Sequence, residues 1–400
     1  MSAPTLEELT PPGTDFDTDP HPLYDRLREQ GPVHRILTPD AREAWLVVGH
    51  EEARAVLTDP RMSHDIRNSP GWDGDGGYSI GVNMLQTDPP DHTRLRRLVA
   101  KEFTAQRIEA LRPRIQHIAD RLLDDMLPLG RADLVEAFAL PLPLTVICEL
   151  LGVPDADRAA FRAWSNEMIL PTTPETAMAA MRAMTGYLAD LIETKRRHPR
   201  EDLLSALTRT ADNGDRLSPA ELSGMAFVLL VAGHETTVNL ISSGVHSLLR
   251  HPGQLAALRA DASLMAGAVE EILRHDCPVE RAAYRYTTEP VEIGGTTVPA
   301  GEAVIVVLAA AAHDPRRFAE PGRFDIHREA RGHLAFGHGI HHCLGASLAR
   351  MEASIALETL LRRCPDLAFD CDPDDLTWRP SLMLRGVHAL PVRYTATGRR

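Results

Sequence analysis

The sequence predicts a mainly α-helical fold with a small β region, and three observations support this. Beyond residue 90 the chain consists mostly of amphipathic runs of about 10 to 15 residues, rich in Leu, Ala, Arg and Glu. One apolar run near the middle is much longer and begins with a helix-capping signal. Strand patterns are short and few. We therefore expect helices to form the body of the molecule and strands to form a small region.

The longest predicted helix begins with a capping box, residues 218–221, that has proline at the first helical position. The dipeptide His251-Pro252 ends the pattern after about 32 residues, which correspond to about 48 Å of helix. The polar string G-H-E-T-T at residues 233–237 interrupts its centre. This interruption favours a buried helix that crosses a large domain over a membrane span.

The strand predictions fall in the first and last thirds of the chain. Residues 44–48 and 303–308 are β-branched or aromatic runs. Residues 291–299 predict a hairpin that turns at Gly294-Gly295. Residues 68–81 are rich in glycine and predict a mobile loop. We find no internal repeat and no low-complexity linker, so a single large domain is expected.

Bulk properties exclude several classes of protein. The 400 residues carry a formal net charge of −13, which argues against a nucleic-acid partner. The five cysteines are few and scattered for this length, so no disulfide framework is expected and a reducing cytoplasm fits. The N-terminal residues show no basic start and no apolar run, so we expect neither a signal peptide nor a membrane anchor.

The strongest motif is the string F-G-H-G-I-H-H-C-L-G, in which Phe336, Gly339, Cys343 and Gly345 stand out. Residues 346–350 behind it read as the start of a helix. A thiolate at this place would accept positive charge from helical and loop N–H groups. Cysteine thiolate is the axial ligand with which haem iron cleaves O₂. The string therefore predicts a haem-thiolate loop.

Another Cys/His metal site is the alternative at this loop, because His338 and His342 lie close to Cys343 in sequence. Such a site would explain neither the long helix nor the pair His92 and Arg96, which lie one helical turn apart. Elsewhere, Cys148 reads as a core residue. Two further cysteines, Cys364 and Cys371, lack nearby paired histidines, so no zinc site is expected there.

The cysteine string resembles the haem-binding loop of cytochromes P450, and further motifs follow in the order of that family from about residue 19 to residue 392. The resemblance implies the cytochrome P450 fold, a triangular, helix-rich single domain. We assign it residues 19–400, with residues 1–18 as a flexible N-terminal segment. The chain is most similar to soluble actinobacterial members, the macrolide hydroxylases of antibiotic biosynthesis.

The resemblance also implies a cofactor and the residues that bind it. The cofactor would be haem b, with Cys343 as the axial metal ligand. Its two propionate groups would be bound by His92, Arg96, Arg285 and His341. Arg281 is the alternative to Arg285. The implied cofactor-binding residues are His92, Arg96, Ala232, Gly233, Arg285, Phe336, Gly337, His341, Cys343 and Gly345.

The string A-G-H-E-T-T resembles the oxygen-binding segment of the family. By that resemblance Thr236 would contact dioxygen and Glu235 would be the acid of an acid–alcohol pair that relays protons. Glycine in a helix interior is unfavourable by about 1 kcal/mol relative to alanine, so Gly233 indicates a close approach or a kink. The alternative is a glycine that only permits helix packing.

A structural charge network is implied by the string E-E-I-L-R. Glu271 and Arg274 are three residues apart on one helical face, where an ion pair is expected. The family adds an arginine from a Pro-x-Arg-Phe turn, which Arg323 matches here. This network would hold the loop that bears Cys343.

The implied reaction is monooxygenation: hydroxylation or epoxidation of a bulky apolar secondary metabolite, a macrolide or other polyketide. The electrons would come from a ferredoxin with a separate NAD(P)H-dependent reductase, and the protein would be a cytoplasmic monomer. Cations at residues 94, 97, 101, 107, 331 and 350 would form the ferredoxin-binding surface. The implied substrate pocket comprises Ile80, Val82, Met84, Leu85, Ile169, Val228, Val231, Ala232, Val279, Ala282, Met383 and Leu384.

Two other functions remain open at this stage. A peroxygenase would use hydrogen peroxide directly and would not need the pair Glu235 and Thr236. A haem-binding sensor or carrier would need neither a spacious apolar pocket nor an electron-transfer surface. Turnover that depends on NAD(P)H, ferredoxin and reductase separates both from a monooxygenase.

Overall fold

A computed structural model describes residues 3–39, 42–70, 72, 82–169, 172–209, 211–212 and 215–396. Most of the predicted loop at residues 68–81, including Ile80, lies outside the described residues. The helices are α1 (Leu6–Leu9), α2 (His21–Gln30), α3 (His50–Thr58), α4 (Asp91–Ala100), α5 (Ala105–Ala110), α6 (Arg112–Met126), α7 (Pro141–Leu151), α8 (Arg158–Ile169), α9 (Pro174–Arg197), α10 (Leu203–Arg209), α11 (Pro219–Arg250), α12 (Pro252–Ala260), α13 (Met265–His275), α14 (Leu308–Ala312) and α15 (Ala346–Arg363).

The strands are short: β1 (Val33–Leu37), β2 (Glu43–Val47), β3 (Met62–Ser63), β4 (Arg131–Asp133), β5 (Ala211–Asp212), β6 (Asp215–Arg216), β7 (Arg285–Thr287), β8 (Val291–Ile293), β9 (Thr296–Val298), β10 (Ala303–Val306), β11 (Ala368–Phe369) and β12 (Pro391–Arg393). Within the described part of the chain they form four small sheets. The largest has the order β1-β2-β10-β7-β3, the second has the order β11-β12-β4, and two hairpins pair β5 with β6 and β8 with β9.

Helix α11 is the central element. The Ser218 hydroxyl accepts from the Glu221 N–H and the Glu221 side chain accepts from the Ser218 N–H, which is the predicted capping box. Among the described residues, α11 alone has the length and composition of a membrane span, but 72% of its most apolar window is buried inside the protein. A core helix passes the same test, so the finding is weak evidence for a membrane.

The prediction of a mainly α-helical molecule with a small β region is confirmed. The hairpin at residues 291–299 turns at Gly294 and Gly295, whose φ angles are +55° and +83°. These left-handed angles suit glycine because it lacks a Cβ. The strand predicted at residues 303–308 ends at Val306, because Leu308 begins α14.

Candidate active site

The loop that carries Cys343 is shaped by its backbone. Gly337 and Gly339 have φ angles of +70° and +74°. A Cβ at Gly339 would lie 2.8 Å from the carbonyl oxygen of Leu57 at the end of α3, so only glycine fits there. The Cys343 N–H donates to the Phe336 carbonyl at 2.8 Å, which closes the loop directly before α15.

The Cys343 side chain reaches solvent at the start of α15. Its position among protein atoms raises the pKa of the thiol, whereas the N–H groups of Gly345 and Ala346 and the charges of Arg96 and Arg350 lower it. The two N–H groups and the two arginines that lower the pKa would stabilise a thiolate at this helix N-terminus.

Two arginines fasten the loop to neighbouring helices. The Arg96 guanidinium on α4 donates to the His342 carbonyl at 2.6 Å. On α15, Arg350 lies over the Phe336 ring at 4.4 Å and pairs with Glu270 of α13. Burial opposes ionisation of Glu270, but hydrogen bonds from His333 and Arg350 lower the pKa of this carboxyl to about 2. The Cys343 loop is thus tied to α4 and α13.

The buried charge network contains a different arginine from the one predicted. Arg274 pairs with Glu271 through two contacts of 2.7 Å, and both side chains are fully buried. The Arg323 side chain is 60% exposed and pairs with Glu320, so its assignment to the network is wrong. Only the Arg323 carbonyl takes part, accepting from Arg274 at 3.2 Å. The third arginine is Arg328, which is 13% exposed and contacts Glu271 at 3.3 Å.

A cluster of buried cationic and imidazole groups lies beside the loop. Both ring nitrogens of His92 and Nε2 of His341 are buried without a protein partner. Their rings lie 4.2 Å apart, and His64 stacks on His341 at 3.9 Å with its own Nε2 unpartnered. Buried donors without partners are costly, so this cluster is suited to a bound acidic group.

Arg285, rather than Arg281, belongs to this cluster. Arg281 is engaged elsewhere, donating to Glu280, to the Tyr24 hydroxyl and to the Leu382 carbonyl. Arg285 is buried on β7, and its guanidinium donates to the Ala283 carbonyl at 3.4 Å. Burial lowers the pKa of Arg285 to about 10, with only Asp88 opposing this shift.

The sequence did not single out His64. It lies between two arginines in a stretch without a recognised motif, and only the fold brings it beside His341. A histidine that directly follows the two-residue strand β3 and directly precedes Asp65 carries no sequence signal of its own.

The middle of α11 presents an open face. Ala232 is exposed and Val231 and Thr236 are half-buried, although most of the helix is buried. The Thr236 hydroxyl donates to the Ala232 carbonyl at 3.1 Å, one turn earlier. This face therefore offers a small side chain and a hydroxyl to whatever lies against it.

Gly233 lies against α7. A Cβ at this position would lie 2.9 Å from Cδ1 of Ile147 on α7. The glycine thus lets α7 pack closely against α11, which agrees with the helix-packing interpretation of the sequence. The contact of Gly233 with the cofactor stays a prediction.

Glu235 is buried, unlike the exposed Ala232 one turn earlier on α11. Its side chain is 4% exposed and forms an ion pair with Arg379 from the C-terminal region. Nε2 of His234 lies 4.0 Å from Oε2 of Glu235 and hydrogen-bonds the Ser165 hydroxyl at 2.8 Å. No sequence motif indicated the Arg379 contact.

Most predicted pocket residues are half-buried, as expected for side chains that border an internal space. Residues 278–282 and 383–385 run side by side, since the Arg281 N–H donates to the Met383 carbonyl and Val279 bridges Leu384. A second group of predicted pocket residues, Val82, Met84 and Val231, packs on the apolar cluster around α7, α9 and α11. Leu85 is 39% exposed, and the side chain of Ile169 lies outside the described part of the structure.

These features fit haem. The thiol of Cys343 stands on one side, a small-residue helix face offers space, and His92, Arg285 and His341 offer buried donors suited to propionates. Among the described residues, no group of three or more His, Cys, Asp or Glu side chains could hold a metal ion, which argues against the alternative Cys/His site.

A fold of this kind with such a site defines a haem-thiolate monooxygenase. Residues 158–382 match the family model described as cytochrome P450, and the chain belongs to this family. Its cofactor is haem with a cysteine thiolate as axial ligand. Enzymes of this bacterial type take electrons from a redox partner such as ferredoxin and bind apolar substrates.

Individual relatives cover nearly the whole chain. The chain is 58% identical to cytochrome P450 monooxygenase PikC of Streptomyces venezuelae, over 98% of this chain and 95% of that protein. It is 46% identical to 6-deoxyerythronolide B hydroxylase of Saccharopolyspora erythraea, over 94% of this chain and 96% of that protein. The solved structure of the P450 monooxygenase TamI with tirandamycin C superposes with a TM-score of 0.88 at 45% identity, covering 95% of this chain and 99% of the other.

Proposed function

We propose that this monooxygenase hydroxylates or epoxidises a bulky, apolar polyketide, with a macrolide as the preferred class. The observation that carries the proposal is the open face of α11, where Ala232 is exposed and Val231 packs on the same apolar cluster as Leu344, the neighbour of Cys343. Half-buried apolar side chains within residues 82–84, 279–282 and 383–384 complete the proposed pocket. The similarity to 6-deoxyerythronolide B hydroxylase and to the tirandamycin C-bound enzyme supports the substrate class.

The residues around Cys343 bind and orient the cofactor. Cys343 would hold the haem iron through its thiolate, supported by the N–H groups at the start of α15. His92, Arg96, Arg285 and His341 would bind the propionates, and Ala232, Phe336, Gly337 and Gly345 would border the cofactor. When bound, haem supplies O₂ activation and transfer of one oxygen atom to the substrate.

Glu235 and Thr236 move protons. The Thr236 hydroxyl donates to the Ala232 carbonyl, so its oxygen can accept a proton from the open side of the helix. Glu235, the neighbouring acid, would pass solvent protons to it. The apolar side chains around this face exclude bulk water, which keeps proton transfer on these two residues.

The electron donor in this proposal is a ferredoxin with a separate reductase, and the enzyme is a cytoplasmic monomer. We further propose that residues 19–400 form one domain. The expectation of a flexible N-terminal segment does not fit the described residues 3–18, because Thr5 bridges Leu37, Leu6 is buried in a core cluster, and Arg385 donates to the carbonyls of residues 17 and 18.

We assign the ferredoxin-binding surface to the exposed cations at the end of α4. Arg97 and Lys101 are exposed, and they follow Arg96, whose guanidinium donates to the His342 carbonyl of the Cys343 loop. Arg94 and Arg350 are half-buried, so their charges are less accessible to a partner. Arg97 and Lys101 are therefore the two residues that we assign to the partner.

Reversing these two charges should weaken turnover driven by ferredoxin and spare turnover driven by peroxide. We expect Arg97→Glu with Lys101→Glu to lower the ferredoxin-driven rate roughly tenfold at low salt, because encounter is steered by charge. Arg182→Glu with Arg196→Glu on α9 changes the net charge equally and should have little effect. Equal losses by both routes would refute the assignment.

The absorption spectrum of the reduced, carbon monoxide-bound protein tests the core of the proposal. The band that gives the family its name should appear in the native protein and be absent in Cys343→Ala. Spin-state titrations with 6-deoxyerythronolide B, tirandamycin C and vitamin D3 then test the substrate class, and turnover with NAD(P)H, ferredoxin and reductase excludes a peroxygenase or a sensor. A shift with vitamin D3 alone would contradict the polyketide assignment.

A further inference from the structure

The acid Glu235 is not free to act as a proton donor in this structure. Its Oε1 accepts from the Arg379 guanidinium, and both side chains are largely shielded, with 4% and 13% of their surface exposed. Thr236, its predicted partner, lies on the open face of α11 and bonds backward to Ala232. The Glu235 carboxylate is therefore engaged with Arg379 and covered, while Ala232 is exposed and Thr236 is half-buried.

Arg379 belongs to a hairpin formed by residues 377–388, which we call the C-terminal hairpin. The Arg379 N–H donates to the Gly386 carbonyl at 2.9 Å, the His388 N–H donates to the Thr377 carbonyl at 2.9 Å, and Trp378 bridges Val387. These contacts make the segment one unit.

This hairpin lies directly on α11. A Cβ at Gly386 would come within 2.2 Å of Oδ1 of Asn239, which is one helical turn beyond Glu235. Both polar atoms of the Asn239 side chain are buried without a protein partner, so the hairpin covers α11 at this place without bonding to it there. The Arg379–Glu235 pair is thus a specific polar link between the two elements.

The tip of the same hairpin carries Met383 and Leu384, two residues of the predicted substrate pocket. Both are half-buried, and their backbones contact residues 279–281. A substrate that presses on this tip acts on the element that holds Arg379. One rigid unit therefore connects the apolar wall of the pocket to the proton-donating carboxylate.

We propose that Arg379 is a positioning residue that holds Glu235 against the C-terminal hairpin while no substrate is bound, and that displacement of the hairpin tip by substrate releases the acid. This inference rests on the proposed role of Glu235 in proton delivery. No bond other than the hydrogen bonds of the ion pair breaks: Glu235 leaves the guanidinium, takes a proton from solvent and donates it toward Thr236. The link restrains proton delivery, and therefore peroxide formation, in the absence of substrate.

The test compares three variants with the native protein, each as substrate-free holoenzyme supplied with NAD(P)H, ferredoxin and reductase. Release of hydrogen peroxide should rise at least about fivefold in Arg379→Gln, a size typical of coupling between two sites. The conservative Arg379→Lys should remain near the native rate. Arg385→Gln is the matched control, because Arg385 lies on the same hairpin but stacks on Trp378 and bonds residues 17 and 18 rather than Glu235.

A double variant shows whether Arg379 acts through Glu235. Arg379→Gln combined with Glu235→Gln should release peroxide at the rate of Glu235→Gln alone. Infrared spectroscopy gives a second readout that does not depend on turnover. Loss of the guanidinium leaves a buried carboxylate that takes up a proton, so a protonated-carboxyl band should appear in Arg379→Gln and be missing in the double variant.

The outcomes separate this inference from the proposed function. If Glu235→Gln changes neither peroxide release nor product formation, the assignment of Glu235 as the acid fails. If Glu235→Gln changes them but Arg379→Gln behaves like the native enzyme, only the restraint by Arg379 is overturned. An equal rise in Arg385→Gln would likewise overturn it, because the effect would then come from a loosened hairpin.

Discussion

The loop of Cys343 and the centre of α11 face the same site, but they are built in different ways. In the loop, shape comes from the local backbone: Gly337 and Gly339 adopt left-handed angles, and Cys343 bonds to Phe336 seven residues earlier. On α11, the surroundings come from distant parts of the chain, since Gly233 meets Ile147 and Glu235 meets Arg379. A motif thus specifies its own backbone but not the partners that reach it across the fold.

The buried network of Glu271, Arg274 and Arg328 depends on contacts between distant segments, and breaking it should have the largest effect of the changes considered. Glu271→Ala would leave Arg274 buried without its carboxylate, and we expect a loss of about 3–5 kcal/mol in stability with loss of bound haem. Thermal unfolding and the haem content of the purified protein measure both effects.

Arg323 and Arg328 provide a matched pair within the same experiment. Arg328→Ala should destabilise the protein and lower its haem content, because Arg328 contacts the buried Glu271. Arg323→Ala should change stability by less than about 0.5 kcal/mol, since its side chain is 60% exposed. If Arg323→Ala destabilised the protein more than Arg328→Ala, Arg323 would belong to the network, as the sequence indicated.

This pair also shows where prediction from sequence stops. The fold class, the 32-residue helix, the glycine turn and the Cys343 loop follow from periodicity, capping and backbone preferences that act over a few residues. The choice between Arg323 and Arg328 depends on which side chain the turn directs inward, and both lie within eight residues of Pro321. Sequence similarity favoured the first, and packing selected the second.

The same limit applied to the propionate donors. Arg281 and Arg285 are four residues apart, and only the partners of Arg281, namely Glu280 and Tyr24, show that Arg285 is the one left for a ligand. His64 was missed because its neighbour in space, His341, lies far away in sequence. Contacts between distant segments therefore decide which of several equivalent side chains serves the site.

Loss of one donor should weaken haem retention by an intermediate amount. We expect Arg285→Gln to speed transfer of haem to an apo-globin acceptor roughly tenfold or more, because a hydrogen bond to a charged group contributes about 1.5–3 kcal/mol. Arg281→Gln should instead lower the unfolding temperature, since it breaks a buried pair with Glu280.

The rate of haem transfer also tests the role of His64, with a smaller expected effect than for Arg285. His64→Phe keeps a ring against His341 but removes the nitrogen that lacks a protein partner. Haem transfer should accelerate while the unfolding temperature changes little. If His64→Phe retains haem as firmly as the native protein, His64 serves only as packing for His341.

The smallest effect concerns a region that neither motif describes, the stack of His21 on His313 with ring centroids 3.6 Å apart. Burial lowers the pKa of His21 to about 3, and the charges of Arg385 and His275 add to this shift while Asp276 opposes it. Because the pKa is lower in the folded state than its usual 6.5, the unfolded state binds the proton first as the pH falls. The stability linked to neutral His21 is therefore complete above pH 6.5 and is lost progressively toward pH 3.

His21→Phe should flatten this part of the pH dependence. The slope of the unfolding free energy with pH, measured by urea denaturation between about pH 6 and 4.5, should fall by at most about 1.4 kcal/mol per pH unit, the value for one proton. His198→Phe, a change at an exposed histidine at the end of α9, should leave the slope unaltered. An unchanged slope in His21→Phe would mean that the stacked pair opens and takes up its proton before the protein unfolds.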